Sequence, residues 1–175
     1  IFPLSMFFIV KGGNYIVSFL YAVLILGNFE AFSTFKRKTT IIFLDVILVI
    51  SLLSLLFLRN DSASSYLLLI WIIILTIFSD IGGYVFGKVF RWKKLTSISP
   101  NKTLSGVIGS FFFSILSVFF IGGIVSAIGL LNFEFFLKLK YFLLAIIFSL
   151  VAQLGDISIS YLKNLEKIKD TGKIL

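Results

Sequence analysis

The chain has 175 residues, of which 59% are apolar and 14% charged, and its mean hydropathy is +1.10. Soluble domains are about half apolar and about one-quarter charged, so the composition excludes an ordinary soluble protein and indicates membrane helices. The sequence has no cysteine and no histidine, which excludes disulfides, thiol nucleophiles, histidine bases and thiolate or imidazole metal sites. Any metal ion must therefore bind to oxygen ligands, which favours Mg²⁺, Ca²⁺ or Mn²⁺.

Apolar runs of membrane-spanning length recur along the chain. A span needs about 20 apolar residues, because the hydrocarbon core is about 30 Å thick. The pattern predicts an all-α, polytopic transmembrane helix bundle that forms a single domain over residues 1–175. The predicted spans are 1–10 (the tail of a first span), 15–32, 41–58, 66–87, 105–131 and 141–162. A tight turn is predicted at Lys11-Gly12-Gly13-Asn14.

The charges are distributed unevenly between the loops. If each span crosses once, the loops 33–40, 88–104 and 163–175 share one side and hold twelve Lys and Arg, against four in the opposite loops. This positive-inside bias predicts that the three basic loops are cytoplasmic. The net charge of +8 therefore indicates topology, and we expect no nucleic acid partner.

Four acidic residues lie inside predicted spans, near their cytoplasmic ends: Glu30, Asp45, Asp80 and Asp156. Asp80 and Asp156 differ from the other two because small or polar residues flank them. An ionisable residue within a span is costly and marks a candidate functional site. Asp45 is interpreted as structural, since it lies about one turn into its helix, near the positive N-terminus. Three loop acids are interpreted as solvated surface charges: Asp61, Glu134 and Glu166.

Asp156 belongs to a polar stripe on an otherwise apolar helix. At about 100° per residue, the stripe stays within an arc of about 80°. Its members are Gln153, Asp156, Ser160, Lys163 and Lys167. Such a stripe should face the bundle interior or a water-filled cavity. Interhelical hydrogen bonding is the alternative interpretation for Gln153.

Small residues recur at every fourth position in Ser79, Gly83 and Gly87, a spacing typical of a helix-packing face. The loop that follows contains Lys102 among hydroxyl side chains and is stiffened by Pro100. Backbone amides and hydroxyls in such a loop are suited to bind phosphate oxygens.

Three stretches resemble motifs of the phosphatidate cytidylyltransferases, also called CDP-diacylglycerol synthases. Residues 80–88 resemble D-x-G-A-Y-x-x-G-[RK], and residues 99–106 resemble S-P-x-K-T-x-x-G. Residues 155–172 resemble G-D-x-x-x-S-x-x-K-R-x-x-x-x-K-D-x-G, the start of the C-terminal signature. Asn164 departs from it at the usual arginine, and the remaining P-G-H-G-G-x-x-D-R-x-D is not reached before Leu175.

The resemblance implies that CTP and phosphatidic acid react to give CDP-diacylglycerol and pyrophosphate, with Mg²⁺ as cofactor. It implies that Asp156 is a magnesium ligand and that Asp80 is a second ligand or holds a metal-bound water. Phosphate contacts are implied for Lys102 and Lys163, which complete the expected catalytic set. Further substrate contacts are implied for Ser99, Thr103, Ser160, Lys169 and Asp170. The expected location is the inner membrane of a bacterium, with the site facing the cytoplasm.

Several alternatives remain. A related CTP-dependent polyprenol or phytol kinase, or an ether-lipid cytidylyltransferase, would use similar groups. A non-catalytic membrane protein such as a transporter should cluster polar groups near the bilayer midplane. A homo-oligomer is left open. Because both chain ends fall inside expected elements, we expect a fragment of a longer gene product. Two aspartates supply few of the six oxygens that Mg²⁺ needs, so we expect the fragment alone to be inactive.

Overall fold

The computed structural model describes residues 2–59, 63–96, 99, 102–129 and 137–168. The helices are α1 Phe2–Lys11, α2 Gly13–Thr34, α3 Lys38–Leu58, α4 Ala63–Phe90, α5 Leu104–Ala127 and α6 Leu139–Glu166. In these ranges the one extended pairing is an isolated antiparallel bridge between Lys94 and Thr103. Five helices, α2 to α6, are long and apolar enough to cross a membrane. The prediction of an all-α, multi-span fold is therefore confirmed.

The helix ends follow local backbone chemistry. Gly12 and Gly13 have φ angles of 65° and 54°, a conformation that favours glycine, and they form the predicted turn between α1 and α2. Helix α5 ends at Ala127, four residues before the end of the predicted span at 131, because Gly129 follows with a φ of 70°. Helices α4 and α6 extend beyond their predicted spans at both ends.

The chain divides into two compact units, one of residues 1–69 and 162–175 and the other of residues 70–161. In the first unit, α1 packs on α2 through stacked Phe8 and Phe19, whose ring centroids are 4.9 Å apart. Gly27 of α2 lies against Leu48 of α3. The division leaves the prediction of a single transmembrane domain untested.

Glu166, in the first unit, was interpreted as a solvated surface charge, and its exposed carboxylate also has backbone partners. Its carboxylate accepts hydrogen bonds from the backbone amides of Lys36 and Arg37, at 2.7 and 3.4 Å. These amides lie immediately before α3, where the first N–H groups of a helix lack helical partners. A negative charge is also favourable at a helix N-terminus. Glu166 therefore joins the end of α6 to the beginning of α3.

The second unit consists of the C-terminal part of α4, the whole of α5 and most of α6. Trp71 contacts Tyr141 at 5.6 Å between ring centroids, and eight residues further along both helices Ser79 hydrogen bonds with Ser149 at 2.8 Å. Residue numbers rise together along this contact, so α4 and α6 run parallel. Gly82 of α4 contacts Gly109 of α5, and Phe78 contacts Phe120. Residue numbers therefore run in opposite directions along this contact, so α4 and α5 are antiparallel.

This arrangement brings three chain segments to one end of the second unit. They are the C-terminal end of α4, the N-terminal end of α5 and the C-terminal half of α6. At the opposite end the contact is apolar, with Trp71, Leu75, Tyr141 and Ala145 all at most 3% exposed. The polar and charged residues predicted for the site in this unit lie at the first end.

Candidate active site

Glycines hold α4 and α5 close together beside the site. A Cβ atom built on Gly82 would collide with the backbone oxygen of Gly109, and one built on Gly109 would collide with that of Gly82. A Cβ on Gly83 would lie 2.6 Å from the Ser110 hydroxyl oxygen. Small residues permit this approach of two backbones. The predicted packing role of Gly83 is therefore confirmed, and Gly87 packs near Thr103 in the same contact.

A layer of buried hydroxyl groups lies next to the glycine contact. Ser79 and Ser149 are 1% and 0% exposed and hydrogen bond to each other across α4 and α6. Ser110 donates to the Ser79 carbonyl at 2.9 Å, and Gln153 donates to the Ser149 hydroxyl at 3.3 Å. Because each hydroxyl has a partner, the layer stays polar without the cost of an unpaired buried group. Gln153 itself bonds within α6, and it is connected to α4 only through Ser149.

A cavity of about 370 Å³ opens above this layer, a volume within the range of about 300–1,000 Å³ that is typical of small-molecule sites. Helices α4, α5 and α6 all contribute to its lining. Its polar and charged side chains include Asp80, Tyr84, Lys88, Lys102, Thr103, Gln153 and Asp156. The structure therefore brings together Asp80, Lys102, Thr103 and Asp156, which the sequence analysis had assigned to one site from three separate segments.

An ion pair links two of these residues. The Lys102 ammonium donates to a carboxylate oxygen of Asp156 at 2.7 Å. The Asp156 side chain is 63% exposed and that of Lys102 is 26% exposed, so solvent screens the pair and its net contribution to stability is small. The Asp80 carboxylate belongs to the lining of the same cavity. Lys102 is paired with one of the two aspartates, Asp156, and two carboxylates in one cavity favour a cation nearby.

The loop before α5 positions Lys102 through its backbone. Arg91 has a φ of 47° and reverses the chain after α4. Leu95 then donates to the Lys102 carbonyl at 2.8 Å, and the Lys102 amide donates to the Ser99 carbonyl at 3.1 Å. Leu104 donates to the carbonyl of Lys93 at 3.0 Å. Since these amides are bonded within the loop, the side chain of Lys102 is the part of the residue that remains for a ligand.

Thr103 has a structural role as well as a place in the cavity wall. Its hydroxyl accepts a hydrogen bond from the Gly106 amide at 3.1 Å and caps the N-terminus of α5. Such a cap typically stabilises a helix by about 1 kcal/mol. The same hydroxyl lies 3.0 Å from that of Ser105.

The remaining predicted residues lie in different surroundings. Ser99 is 7% exposed and is not among the cavity-lining residues. Ser160 donates to the Asp156 carbonyl on its own helix at 2.8 Å. Lys163 lies two turns beyond Asp156 on α6 and belongs to the first unit. Lys169 and Asp170 fall outside the described residues.

The sequence analysis did not assign Tyr84 and Lys88 to the site. Both line the cavity, and the Lys88 ammonium donates to the Tyr84 hydroxyl at 3.3 Å. The signal was available, because Asp80, Tyr84 and Lys88 follow one another at intervals of four, which places them along one helical face.

The carboxylates of the cavity suit a hard cation. Asp80 and Asp156 offer oxygen donors, the ligands that Mg²⁺ prefers, and Mg²⁺ commonly binds to one or two carboxylates while water and phosphate complete its shell. Among the residues that the structure describes there is no cluster of three or more His, Cys, Asp or Glu. The two aspartates therefore fit a magnesium ion that shares its shell with a phosphate-bearing ligand.

Comparisons with known proteins place this cavity in a family context. A phosphatidate cytidylyltransferase of Helicobacter pylori is 38% identical over 108 residues, which cover 61% of this chain and 37% of the relative. One of Rickettsia conorii is 33% identical over 137 residues, 74% of this chain and 56% of the relative. One of Staphylococcus aureus is 36% identical over 111 residues, which cover 62% of this chain and 37% of the relative.

The chain thus spans between 37% and 56% of the length of these three curated relatives. No solved structure matches it. The profile of the cytidylyltransferase family matches residues 3–175. The match covers nearly the whole chain, including every segment that contributes to the cavity, and the chain therefore belongs to the cytidylyltransferase family.

Proposed function

We propose that this chain carries the active site of an integral membrane phosphatidate cytidylyltransferase, which forms CDP-diacylglycerol and pyrophosphate from CTP and phosphatidic acid. The observation that carries the proposal is the cavity in which Asp80, Asp156 and Lys102 meet at one end of a bundle of apolar helices. A membrane enzyme that joins a soluble nucleotide to a lipid phosphate needs charged groups in this position. The names of the relatives support the same reaction.

The reaction joins two phosphate-bearing anions. A phosphate oxygen of phosphatidic acid attacks the α-phosphorus of CTP, and the bond from that phosphorus to the β-phosphate oxygen breaks, releasing pyrophosphate. The attacking phosphate is already ionised at neutral pH, so the site needs no histidine base. Much of the barrier is repulsion between the reactants, which positioning and charge neutralisation reduce.

Asp80 and Asp156 are the residues that would hold Mg²⁺. A bound magnesium ion supplies positive charge that neutralises phosphate oxygens and orients them. The chain itself supplies the carboxylates, and the hydrogen bond between Ser79 and Ser149 joins α4 to α6 next to Asp80 and two turns before Asp156.

Lys102 and Lys163 are proposed to contact phosphate groups, and hydroxyl groups provide weaker contacts. The proposed hydroxyl partners are Ser99, Thr103 and Ser160. When substrate binds, Lys102 must leave Asp156 for a phosphate. Because the ion pair is exposed to solvent, breaking it costs little free energy. Lys169 and Asp170 remain proposed substrate contacts.

We place the site at the cytoplasmic face of a bacterial inner membrane, in one multi-pass transmembrane domain. CTP is soluble, and the twelve-to-four distribution of Lys and Arg favours basic loops on that side. The test is cysteine labelling with a membrane-impermeant thiol reagent in intact cells. Cysteines replacing Thr39, Thr96 and Thr171 should stay unlabelled, whereas cysteines replacing Ser62 and Asn132 should react. The reverse pattern would contradict this orientation.

The reaction itself is tested with the protein expressed from its complete reading frame and purified in detergent. It is incubated with CTP, phosphatidic acid and Mg²⁺, and both products are measured. Pyrophosphate and CDP-lipid in equal amounts are expected. With a polyprenol or phytol added as acceptor, release of CDP together with a newly phosphorylated alcohol would instead identify a CTP-dependent lipid kinase. Replacing phosphatidic acid by an ether-linked lipid phosphate distinguishes the ether-lipid enzyme, and an absence of any product would support a non-catalytic protein.

A further inference from the structure

Two lysines line the cavity, and their surroundings differ. Lys102 is paired with Asp156 at 2.7 Å. Lys88 contacts Tyr84, with its ammonium 3.3 Å from the hydroxyl and 5.5 Å from the ring centroid. In the described part of the chain, no carboxylate lies within ion-pair distance of Lys88. Among the described residues, the positive charge of Lys102 is thus compensated by a carboxylate and that of Lys88 is not.

Tyr84 makes the pair suitable for an acceptor ligand. Its hydroxyl accepts the hydrogen bond from Lys88, so its own O–H hydrogen remains to be donated. An ammonium and a phenol hydroxyl that both donate into one cavity match an anion with several oxygen atoms. A phosphate group satisfies both donors, and hydrogen bonds to an ionised group are about twice as strong as neutral ones.

The position of this pair indicates which phosphate it would bind. Lys88 lies in the last turn of α4. Several exposed apolar side chains lie near it in the chain, together with the exposed Arg91, whose guanidinium donates to the Lys88 carbonyl at 3.1 Å. Val85, Val89 and Trp92 are 38%, 67% and 54% exposed. In a membrane protein such side chains face lipid, and tryptophan is enriched at the interface with water. A lipid phosphate that entered the cavity from this side would keep its acyl chains among apolar groups.

We propose that Lys88 and the Tyr84 hydroxyl bind the phosphate monoester of the lipid substrate, separately from the Asp80, Asp156 and Lys102 group that serves the nucleotide. This inference rests on the proposed function and adds a second anion-binding point to its cavity. Two anionic substrates are then neutralised by two lysines that do not share a carboxylate. The arrangement keeps the lipid phosphate bound near the site without occupying the proposed metal ligands.

The test measures binding without turnover, by isothermal titration of the complete protein in detergent micelles. The probes are dihexanoyl phosphatidic acid, dihexanoylglycerol as its phosphate-free counterpart, and CTP with Mg²⁺. Lys88→Gln should weaken phosphatidic acid binding by about 10- to 100-fold, the range expected for a lost hydrogen bond to a charged group. Tyr84→Phe should weaken it by a smaller factor, about threefold. CTP affinity should change less than about twofold in both variants.

Two further variants serve as controls. Lys93→Gln removes another exposed cation, one that does not line the cavity, and it should leave both affinities unchanged. Lys88→Arg keeps the charge and should retain most of the phosphatidic acid affinity. Dihexanoylglycerol should bind all variants alike, because it lacks the phosphate.

Wild-type affinity of Lys88→Gln for phosphatidic acid would overturn the proposal. Weaker binding of CTP alone would also overturn it, by assigning Lys88 to a nucleotide phosphate. If the wild-type protein binds phosphatidic acid through Lys88 but forms no CDP-lipid, the proposed reaction fails while the phosphate-binding role of Lys88 stands. If it binds CTP but no phosphatidic acid, both fail.

Discussion

The two ends of the contact between α4 and α6 are built differently. At one end Trp71 and Tyr141 pack edge to face with 0% and 3% exposure. Eight residues further along each helix, the contact is a single hydrogen bond between Ser79 and Ser149, and the cavity opens beyond it. The same helices and the same spacing thus provide a packed apolar end and an open charged end. Rigid packing at the first end can hold the charged groups of the second in position.

The largest expected effect comes from removing the charge of Asp156 at the open end while keeping the shape of its side chain. Asp156→Asn keeps the shape of the side chain and removes its charge, so we expect CDP-lipid formation to fall by about 10²- to 10³-fold or more. The thermal midpoint should stay close to wild type, because the ion pair with Lys102 is exposed. Asp45→Asn, in the first unit, is the control and should reduce CDP-lipid formation only slightly. Wild-type turnover by Asp156→Asn would remove this residue from the mechanism.

A second, smaller effect concerns Lys102. Lys102→Ala should raise the KM for CTP by about 10- to 100-fold, as expected for the loss of a charge-assisted contact to phosphate. It also frees Asp156 from its ion pair. Binding of Mn²⁺ alone, followed by its paramagnetic resonance signal, should therefore become tighter. If the KM for CTP and the affinity for Mn²⁺ were both unchanged, Lys102 would contact neither the nucleotide nor the metal ligand Asp156 in a way that matters for binding.

The glycine contact beside the site offers a matched pair of substitutions. Gly82→Ala places a methyl group against the Gly109 carbonyl and the Phe113 side chain, and we expect a loss of about 1–3 kcal/mol of stability from overpacking. Gly123→Ala is in the same kind of helix with no neighbouring atom within 4 Å. It should be neutral or stabilise by up to about 1 kcal/mol. Thermal unfolding in detergent measures both, and equal midpoints would contradict a tight α4–α5 contact.

The smallest effect concerns the serine pair. Ser149→Ala removes the hydroxyl that contacts both Ser79 and Gln153. Hydrogen bonds between membrane helices contribute about 0.6 kcal/mol on average, so the midpoint of thermal unfolding should fall only slightly. Activity should fall more than stability if this bond positions the aspartates above it. Tyr141→Phe, at the apolar end, keeps the ring and should leave activity unchanged. Equal activity in Ser149→Ala and Tyr141→Phe would show that the serine contact does not position the active site any more than the apolar end does.

Much of the site could be identified from the sequence because its residues stand out locally. Asp80 and Asp156 are charges inside apolar runs, which are rare for energetic reasons, and Lys102 lies in a loop marked by proline and hydroxyl groups. The spacing of Ser79, Gly83 and Gly87 also identified a packing face. The partner face on α5, with Gly106 and Gly109, carries the same kind of small-residue signal and was not used.

Other residues gave no local signal. Glu166 resembles any surface acid until the fold places it 2.7 Å from the Lys36 amide, 130 residues away in the chain. Ser149 is one of many serines in apolar helices, and its importance follows from the residue opposite it on α4. Lys88 entered the sequence analysis only as the last residue of the stretch 80–88 that resembles a family motif, because nothing in its neighbouring sequence shows which carboxylates lie near it.

The sequence by itself determined the helical segments and the chemistry available to them. Helices that cross a bilayer must satisfy their own backbone hydrogen bonds and need about 20 apolar residues, and both requirements are local. Only the tertiary structure decided which charges meet, since Lys102 and Asp156 are 54 residues apart and their pairing depends on how α5 and α6 pack against α4. That packing leaves one lysine of the cavity compensated by a carboxylate and the other beside a tyrosine, because contacts between helices depend on surfaces that no short stretch of sequence contains.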